Sequence, residues 1–352
     1  MSPTKPIAFD PNDPAVIDAI DALARMTGAD PESFEGRQIT DLVQTAVKLI
    51  PDGRHSGELK LLNAALKELR YAFRIFAPYR AVPKISIFGS ARTPEDHPDY
   101  RMTVDFARLM VKMGWMVITG AGGGIMQAGH EGTGRSASFG VAIRLPFEQS
   151  ANPIIAGDEK LIHFRYFFTR KLIFVSQANA VTLFPGGFGT QDENFEALTL
   201  VQTGKSHMVP IVMLAGGPEG ARSPGGYWFE WDRFIRTQLL ERKLISAEDL
   251  SLYYLARDPA DAADHIARFY RIYHSSRYVK EQLVIRLTRP LSAERIDFLN
   301  QRFSDVVAGG AIRTSAPFDE EKDFRELPRI AFHHARRSWG RLRLLIDAIN
   351  ES

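Results

Sequence analysis

The sequence predicts an α/β fold: a Rossmann-like parallel sheet with helices on both faces, flanked by a helical N-terminal segment and a small C-terminal α+β unit. Three observations carry that prediction. From Lys84 onward, short β-rich runs alternate with helical ones, the pattern of βαβ units. Three of these runs end in glycine-containing turns, at the carboxyl ends where open α/β sheets bind ligands. At 352 residues, with 45% hydrophobic and 24% charged side chains, the chain is an ordinary globular protein long enough for two or three structural units.

The elements follow in order. Residues 1–83 read as helical: residues 15–26 carry Val16, Ile20, Leu23 and Ala24 near helical spacing, and residues 41–50 and 58–76 continue it. Pro51-Asp52-Gly53 interrupts this segment, and Pro78 and Pro83 close it. No chemistry is visible there, so its expected role is a cap or an oligomer contact. Residues 84–277 form the expected nucleotide-binding core. Its expected strands are residues 85–88, 116–119, 139–143, 180–184 and 209–214, and its expected helices are residues 100–113, 162–177 and 191–203. Residues 278–352 read as the small α+β unit, with strands at 283–287, 311–314 and 329–332. A helix capped by Ser292 and a closing helix over residues 336–349 complete it.

Composition excludes several functions. The chain has no cysteine, hence no disulfide, no thiolate metal site and no Cys nucleophile. Lys and Arg number 44 against 42 Asp and Glu, a balance that argues against a nucleic-acid partner. No run approaches the roughly 18 to 20 apolar residues of a membrane span. Residues 1–10 hold Pro and Asp where a signal peptide needs an apolar core, so the expected location is cytoplasmic.

The chemistry concentrates in the turns Gly89-Ser90, Gly120-Ala121-Gly122-Gly123-Gly124-Ile125-Met126 and Pro185-Gly186-Gly187-Phe188-Gly189-Thr190. Glycine lets backbone N–H groups approach a ligand, and a helix N-terminus adds positive potential, so each turn is a candidate phosphate cradle. Two familiar nucleotide motifs fail. A G-x-G-x-x-G fingerprint from Gly120 and Gly122 meets Ile125 where its third glycine belongs. Gly204-Lys205-Ser206 imitates the end of a P-loop, but Thr199 replaces the first glycine and the tripeptide follows a helix instead of preceding one.

The strongest constellation is Pro185-Gly186-Gly187-Phe188-Gly189-Thr190-Gln191-Asp192-Glu193, with Arg170-Lys171 on the preceding helix. Here the sequence resembles the "lonely guy" (LOG) family, whose signature is P-G-G-x-G-T-x-x-E preceded by an R-K pair. Phe88-Gly89-Ser90, the loop from Gly120 to Met126, Leu145-Pro146-Phe147-Glu148-Gln149 and Gln202-Thr203-Gly204-Lys205 extend the similarity. The flanking segments make the chain similar to the larger bacterial members. The resemblance implies a nucleoside 5′-monophosphate phosphoribohydrolase, an N-glycosidase releasing a free base and ribose 5-phosphate from AMP or an N6-modified AMP. It gives Glu193 the stabilisation of the cationic sugar or the orientation of water, and Arg170 the phosphate or the departing base. The backbone N–H groups of Gly186, Gly187, Gly189 and Thr190 would cradle the phosphate, with Gly89, Ser90, Gly122, Gly123, Gly124 and Lys171 in supporting binding roles. It implies no cofactor, and a homodimer or higher homo-oligomer whose contacts include the apolar residues Phe164, Phe167, Phe168, Leu172 and Phe174. Relatives often carry the label lysine decarboxylase, which would require a Schiff-base lysine and a pyridinium partner for pyridoxal phosphate. Nothing in the sequence supports that label.

Each assignment has a plainer rival. Thr190-x-x-Glu193 also fits a capping box, with Glu193 folded back onto the helix start. Arg170 and Lys171 also fit solvated helix charges, and Glu196, one turn beyond Glu193, is within reach of the same site. A non-catalytic nucleotide-binding or sensing module and a pyrimidine-nucleotide nucleosidase are the alternative functions. The nine histidines make no metal motif: His130-Glu131 is followed by Gly134, not His, and His333-His334 would point to opposite strand faces. Arg336, Arg337, Arg341 and Arg343 give the closing helix a basic face, solvated or bound to an anionic effector.

Overall fold

The computed structural model describes residue 10, residues 12–144 and residues 151–352. The stretch 145–149 of the family resemblance therefore lies outside the described residues. The chain divides into two compact units, Met1–Lys67 and Glu68–Ser352.

The first unit holds α1 (Pro14–Met26), α2 (Phe34–Lys48) and the opening turns of α3 (Ser56–Phe76). Asp13 caps α1 by accepting from Ala15 N, and Ser33 caps α2 by accepting from Gly36 N. That cap explains why α2 starts well before the residue 41 expected from periodicity.

The second unit is built on a seven-stranded parallel sheet. In chain order it runs β1 (Lys84–Phe88), α4 (Pro98–Lys112), β2 (Met116–Thr119), α5 (Ile125–Thr133), β3 (Ser138–Ile143), β4 (Leu161–Phe164) and α6 (Phe167–Ser176). It continues through β5 (Ala180–Leu183), α7 (Phe188–Gln202), β6 (Ile211–Met213), α8 (Tyr227–Phe234), β7 (Tyr253–Leu255) and α9 (Pro259–Phe269). The strand order is β4-β3-β2-β1-β5-β6-β7, with every pairing parallel. The chain builds outward from β1 in one direction, then from β5 in the other. That reversal opens a crevice beyond the carboxyl ends of β1 and β5, where open α/β sheets place their ligands.

Helices cover both faces because the strands are apolar on both. On one face Ile85, Ile87 and Val117 pack with Phe106 and Met110 of α4, Ile125 of α5 and Ile266 of α9. On the other, Ile118, Phe139 and Val141 pack with Ile173 and Phe174 of α6 and Phe76 of α3. Each fully buried side chain of this kind contributes about 1.5–3 kcal/mol of transfer free energy.

A four-stranded antiparallel sheet follows: β8 (Tyr273–Val279), β9 (Gln282–Leu287), β10 (Val307–Thr314) and β11 (Arg329–His334), in the order β10-β11-β9-β8. Leu283, Ile285 and Leu287 alternate onto one face of β9, where they meet Leu342, Leu345 and Ile346 of α11 (Trp339–Asn350). The same cluster takes in Ala197 and Val201 of α7, so the two sheets share one core. Ser292 accepts from Arg295 N and caps α10 (Ala293–Arg302), as expected.

Two departures from the sequence reading concern pairing. Residues 162–177, expected as one helix, split into β4 and α6. Ile162 and Phe164 are buried at alternate positions, and the open edge of β3 recruits them as a strand. The alternation legible in the sequence also stops at Leu214, whereas the fold continues through α8, β7 and α9. β7 is a three-residue, half-buried edge strand whose only signal is its partner β6.

Candidate active site

The loops after β1, β2 and β5 meet at the crevice and are stitched together at Ser90. Ser90 N donates to the Pro185 carbonyl at 3.1 Å, and Ile125 N donates to the Ser90 carbonyl at 3.0 Å. These contacts require glycine at particular places. A Cβ on Gly186 would lie 2.1 Å from Thr190 Oγ1, one on Gly89 2.6 Å from Ile125, and one on Gly124 2.3 Å from the Ser90 carbonyl oxygen. Gly187 and Gly189 differ: nothing lies within 4 Å of their Cβ positions. The first group lets the loops close on one another; the second leaves backbone open to a ligand.

The loops enclose a cavity of about 870 Å³. Gly89, Ser90, Arg170, Gly186, Gly187, Gly189, Thr190 and Glu193 all line it. Gly122, Gly123, Gly124 and Lys171 are not among its lining residues. Gly122 lies against the end of the Met126 side chain and Gly124 under Ser90 and Ala91, so this loop supports the cavity instead of lining it. Gly120 does line the cavity, and its missing Cβ leaves room for the Arg170 guanidinium, which would sit 2.5 Å away.

The capping-box reading of Thr190 and Glu193 does not hold. α7 begins at Phe188 with Gly187 as its N-cap and no side-chain cap, three residues earlier than expected. Glu193 therefore sits beyond the first turn, out of reach of the cap amide. The first-turn N–H groups of an α-helix have no acceptor within the helix, and here they lie at the cavity wall.

Arg170 is held by a hydrogen bond from Nε to the Val141 carbonyl at 2.9 Å, with its guanidinium 5.2 Å from the Phe174 ring centre. Lys171, beside it, faces the other way, into three carboxylates. Its Nζ lies 2.9 Å from Asp192 Oδ2, 3.9 Å from Glu193 Oε2 and 2.5 Å from Glu196 Oε2. Burial opposes its charge, yet the hydrogen bonds to Asp192 and Glu196 raise its pKa overall. Lys171 is thus neither solvated nor at the cavity; it organises the acids of α7.

Glu193 is the unusual group. Its side chain is 11% exposed and accepts no hydrogen bond among the described residues. Burial raises its pKa to about 7; Lys171 and Arg170 pull down, Glu196 and Asp192 push up. At neutral pH this carboxyl exchanges its proton readily, with its oxygens free for a ligand.

The sequence reading missed Tyr227. Its hydroxyl donates to the Gly186 carbonyl at 2.5 Å and accepts from Gln191 Nε2 at 2.7 Å, pinning the glycine loop from the start of α8. The loop after β6 lies at a strand's carboxyl end, which flags the loop but not the residue. Phe167, Phe188 and Arg92 also line the cavity.

Residues 123–266 match the family model described as "possible lysine decarboxylase", which is the LOG family. The matched stretch runs from the glycine loop after β2 to α9 and includes the loop after β5. The family description itself does not fit this cavity, because no lysine is among its described lining residues to form a Schiff base with pyridoxal phosphate. Among the described residues no group of three or more His, Asp or Glu could hold a metal ion, and no helix is long and apolar enough to cross a membrane.

No curated protein matches the chain. Among solved structures, a structural-genomics protein, TM1055, is 21% identical, covering 53% of this chain and 99% of its own at a TM-score of 0.37. The molybdenum cofactor carrier protein of Chlamydomonas reinhardtii is 21% identical over 53% and 97%, with a TM-score of 0.38. The molybdenum cofactor binding protein of Rippkaea orientalis is 19% identical over 53% and 95%, with a TM-score of 0.36.

Proposed function

We propose that the protein hydrolyses the N-glycosidic bond of a nucleoside 5′-monophosphate, AMP or an N6-modified AMP. The observation that carries this reading is Glu193: a buried carboxyl with a pKa of about 7 and no hydrogen bond among the described residues, facing the same cavity as Arg170 and the open start of α7. Cleaving the C1′–N bond develops positive charge on the ribose, as in O-glycoside hydrolysis. Ionised Glu193 stabilises that charge and orients the attacking water. As the water's oxygen bonds to C1′ it gives one proton to Glu193, the C1′–N bond electrons leave with the base, and that proton passes on to complete the free base. Products are the base and ribose 5-phosphate.

The 5′-phosphate belongs at Gly187, Gly189 and Thr190, where unpaired N–H groups and the helix dipole favour an anion. Arg170, held at the same cavity by its bond to the Val141 carbonyl, has a charge that assists the phosphate or the departing base. Met126 and Phe167 offer the base an apolar wall.

Incubation with a panel of nucleoside monophosphates, assayed for ribose 5-phosphate, tests the reading. Release from AMP but not from adenosine is expected, because the glycine loop stabilises the transition state through the phosphate. Comparable kcat/KM for adenosine and AMP overturns the phosphate assignment. Binding without release would leave a nucleotide-binding module.

The enzyme is also proposed to be a homodimer or higher homo-oligomer. Of the residues expected at that contact, Phe167, Phe168 and Leu172 are 53%, 51% and 47% exposed and supply an apolar face for it, whereas Phe164 and Phe174 are buried in the core of this chain. A monomeric mass by light scattering at micromolar concentration would rule this out.

A further inference from the structure

We propose that a second cavity, at the opposite end of the sheet from the glycine loops, binds a phosphorylated small molecule. It measures about 350 Å³ and lies where β1, β5 and β6 begin. Its floor is Lys84, a lysine only 3% exposed. Lys84 Nζ donates to the carbonyls of Tyr79 and Val82 at 2.6 and 2.8 Å, which leaves its third N–H for a ligand. No Asp or Glu is among the described residues lining the cavity. Burial alone, with no counter-charge, lowers the Lys84 pKa to about 8. Arg80 and His207 stand at the exposed rim, and neither side chain has a hydrogen-bond or ion-pair partner among the described residues.

The positive charge extends beyond this cavity. A neighbouring cleft of about 570 Å³ shares Ser176, His207, Met208 and Ser276 with it and adds Lys205 and Arg277, likewise without acid partners. The cleft's one carboxylate, Glu196, is already bound to Lys171. By contrast, three arginines of the closing segment are neutralised: Arg336 by Glu281, Arg341 by Asp305 and Arg343 by Asp347. Cations gathered in a concavity without acids hold a potential that an anion relieves. Lysine, arginine and the nearby serine hydroxyls are phosphate donors, and the combined space fits a small metabolite. Leu172, Leu200 and Trp339 supply the apolar wall for the rest of it. The site is distinct from the candidate active site but tied to it. α6 carries Phe167 and Arg170 at one end and Ser176, which lines both new spaces, at the other.

Calorimetric titration with inorganic pyrophosphate tests the proposal on the full chain, comparing wild type with Arg170→Ala and with the double variant Arg80→Ser/Arg277→Ser. Binding should persist in Arg170→Ala and weaken about tenfold or more in the double variant, the usual loss when charged hydrogen bonds are removed. Arg80 is exposed and Arg277 half-buried on a strand, so melting temperatures should stay near wild type. Lys84→Met should abolish the site but also removes the donor of the Tyr79 and Val82 carbonyls, so the double variant decides. Absence of binding, unchanged affinity in the double variant, or loss only in Arg170→Ala overturns the proposal; the last result assigns the ion to the catalytic cavity.

Discussion

Glu193 in the α/β core and Glu321 beside the C-terminal sheet are both buried carboxylates near cations, and they are treated oppositely. Glu321 accepts from Arg286 Nε and Nη2 at 3.0 and 2.7 Å, from Arg329 Nη1 at 2.6 Å and from Phe318 N at 3.1 Å. Burial works against its charge, but these donors lower its pKa overall. Two arginines serve one carboxylate there. Around Lys171 the ratio inverts: one lysine serves three carboxylates, and Glu193 receives the most distant contact. A carboxylate that holds structure is saturated with donors, whereas one available for chemistry keeps its oxygens toward a cavity and its pKa near neutrality.

The sharpest way to break this contrast is to neutralise each acid. Glu193→Gln should reduce kcat by roughly a thousandfold or more, within the range of an essential acid–base group. It should not lower the melting temperature. The sign follows from the pKa: a carboxyl raised to about 7 contributes its stability fully below the unfolded value of 4.5 and loses it as pH rises through 7. The Gln variant should therefore be more stable than wild type at pH 8, by at most about 3 kcal/mol, with the gain vanishing below about pH 4. Unchanged turnover in this variant would move the catalytic role to Asp192 or Glu196.

Glu321→Gln should do the reverse. Removing one partner of a buried ionic cluster costs about 3–5 kcal/mol, visible as a lower denaturation midpoint. Activity per folded molecule should remain. Because Glu321's pKa is lowered on folding, its contribution is present above the unfolded value and is lost as acid protonates it. The difference between wild type and variant should therefore shrink on acidification.

The two kinds of glycine sharpen the contrast further. Gly186→Ala should lower both stability and activity, since its Cβ would overlap Thr190. Gly189→Ala meets open space, so it should leave the unfolding free energy within about 1 kcal/mol of wild type and raise KM for the monophosphate. Equal losses of stability in the two variants would erase the distinction.

The smallest effect concerns pH. The rate should fall on the acid side through a limb near pH 7, where Glu193 takes up its proton. Glu196→Gln removes a repulsive neighbour and frees Lys171, so the limb should move to lower pH in that variant. A limb unmoved by this substitution would separate Glu193 from the Lys171 cluster.

Much of this was legible before folding. Pro185 through Glu193, with Arg170 upstream, marks the loop and the candidate groups because turn, helix start and acid are neighbours in sequence. Strand alternation marks β1, β2, β3, β5 and β6 for the same local reason. Tyr227 was not legible, because its role is a hydrogen bond to a carbonyl on another strand's loop. β4 was misread because Ile162 and Phe164 suit a helix as well as a strand, and only the edge of β3 decides between them.

By itself the sequence determined the α/β class, the three glycine loops and the pair Arg170 and Glu193. Periodicity, turn chemistry and residue type are properties of neighbouring positions. Only the tertiary structure decided which glycines pack and which stay open, that Lys171 faces away from the cavity, and that Glu193 is no helix cap. It alone set the state of Glu193, buried, at the far edge of the Lys171 cluster and titrating near neutrality. A pKa sums desolvation and charge from every element packed around a group, and no local pattern contains that sum.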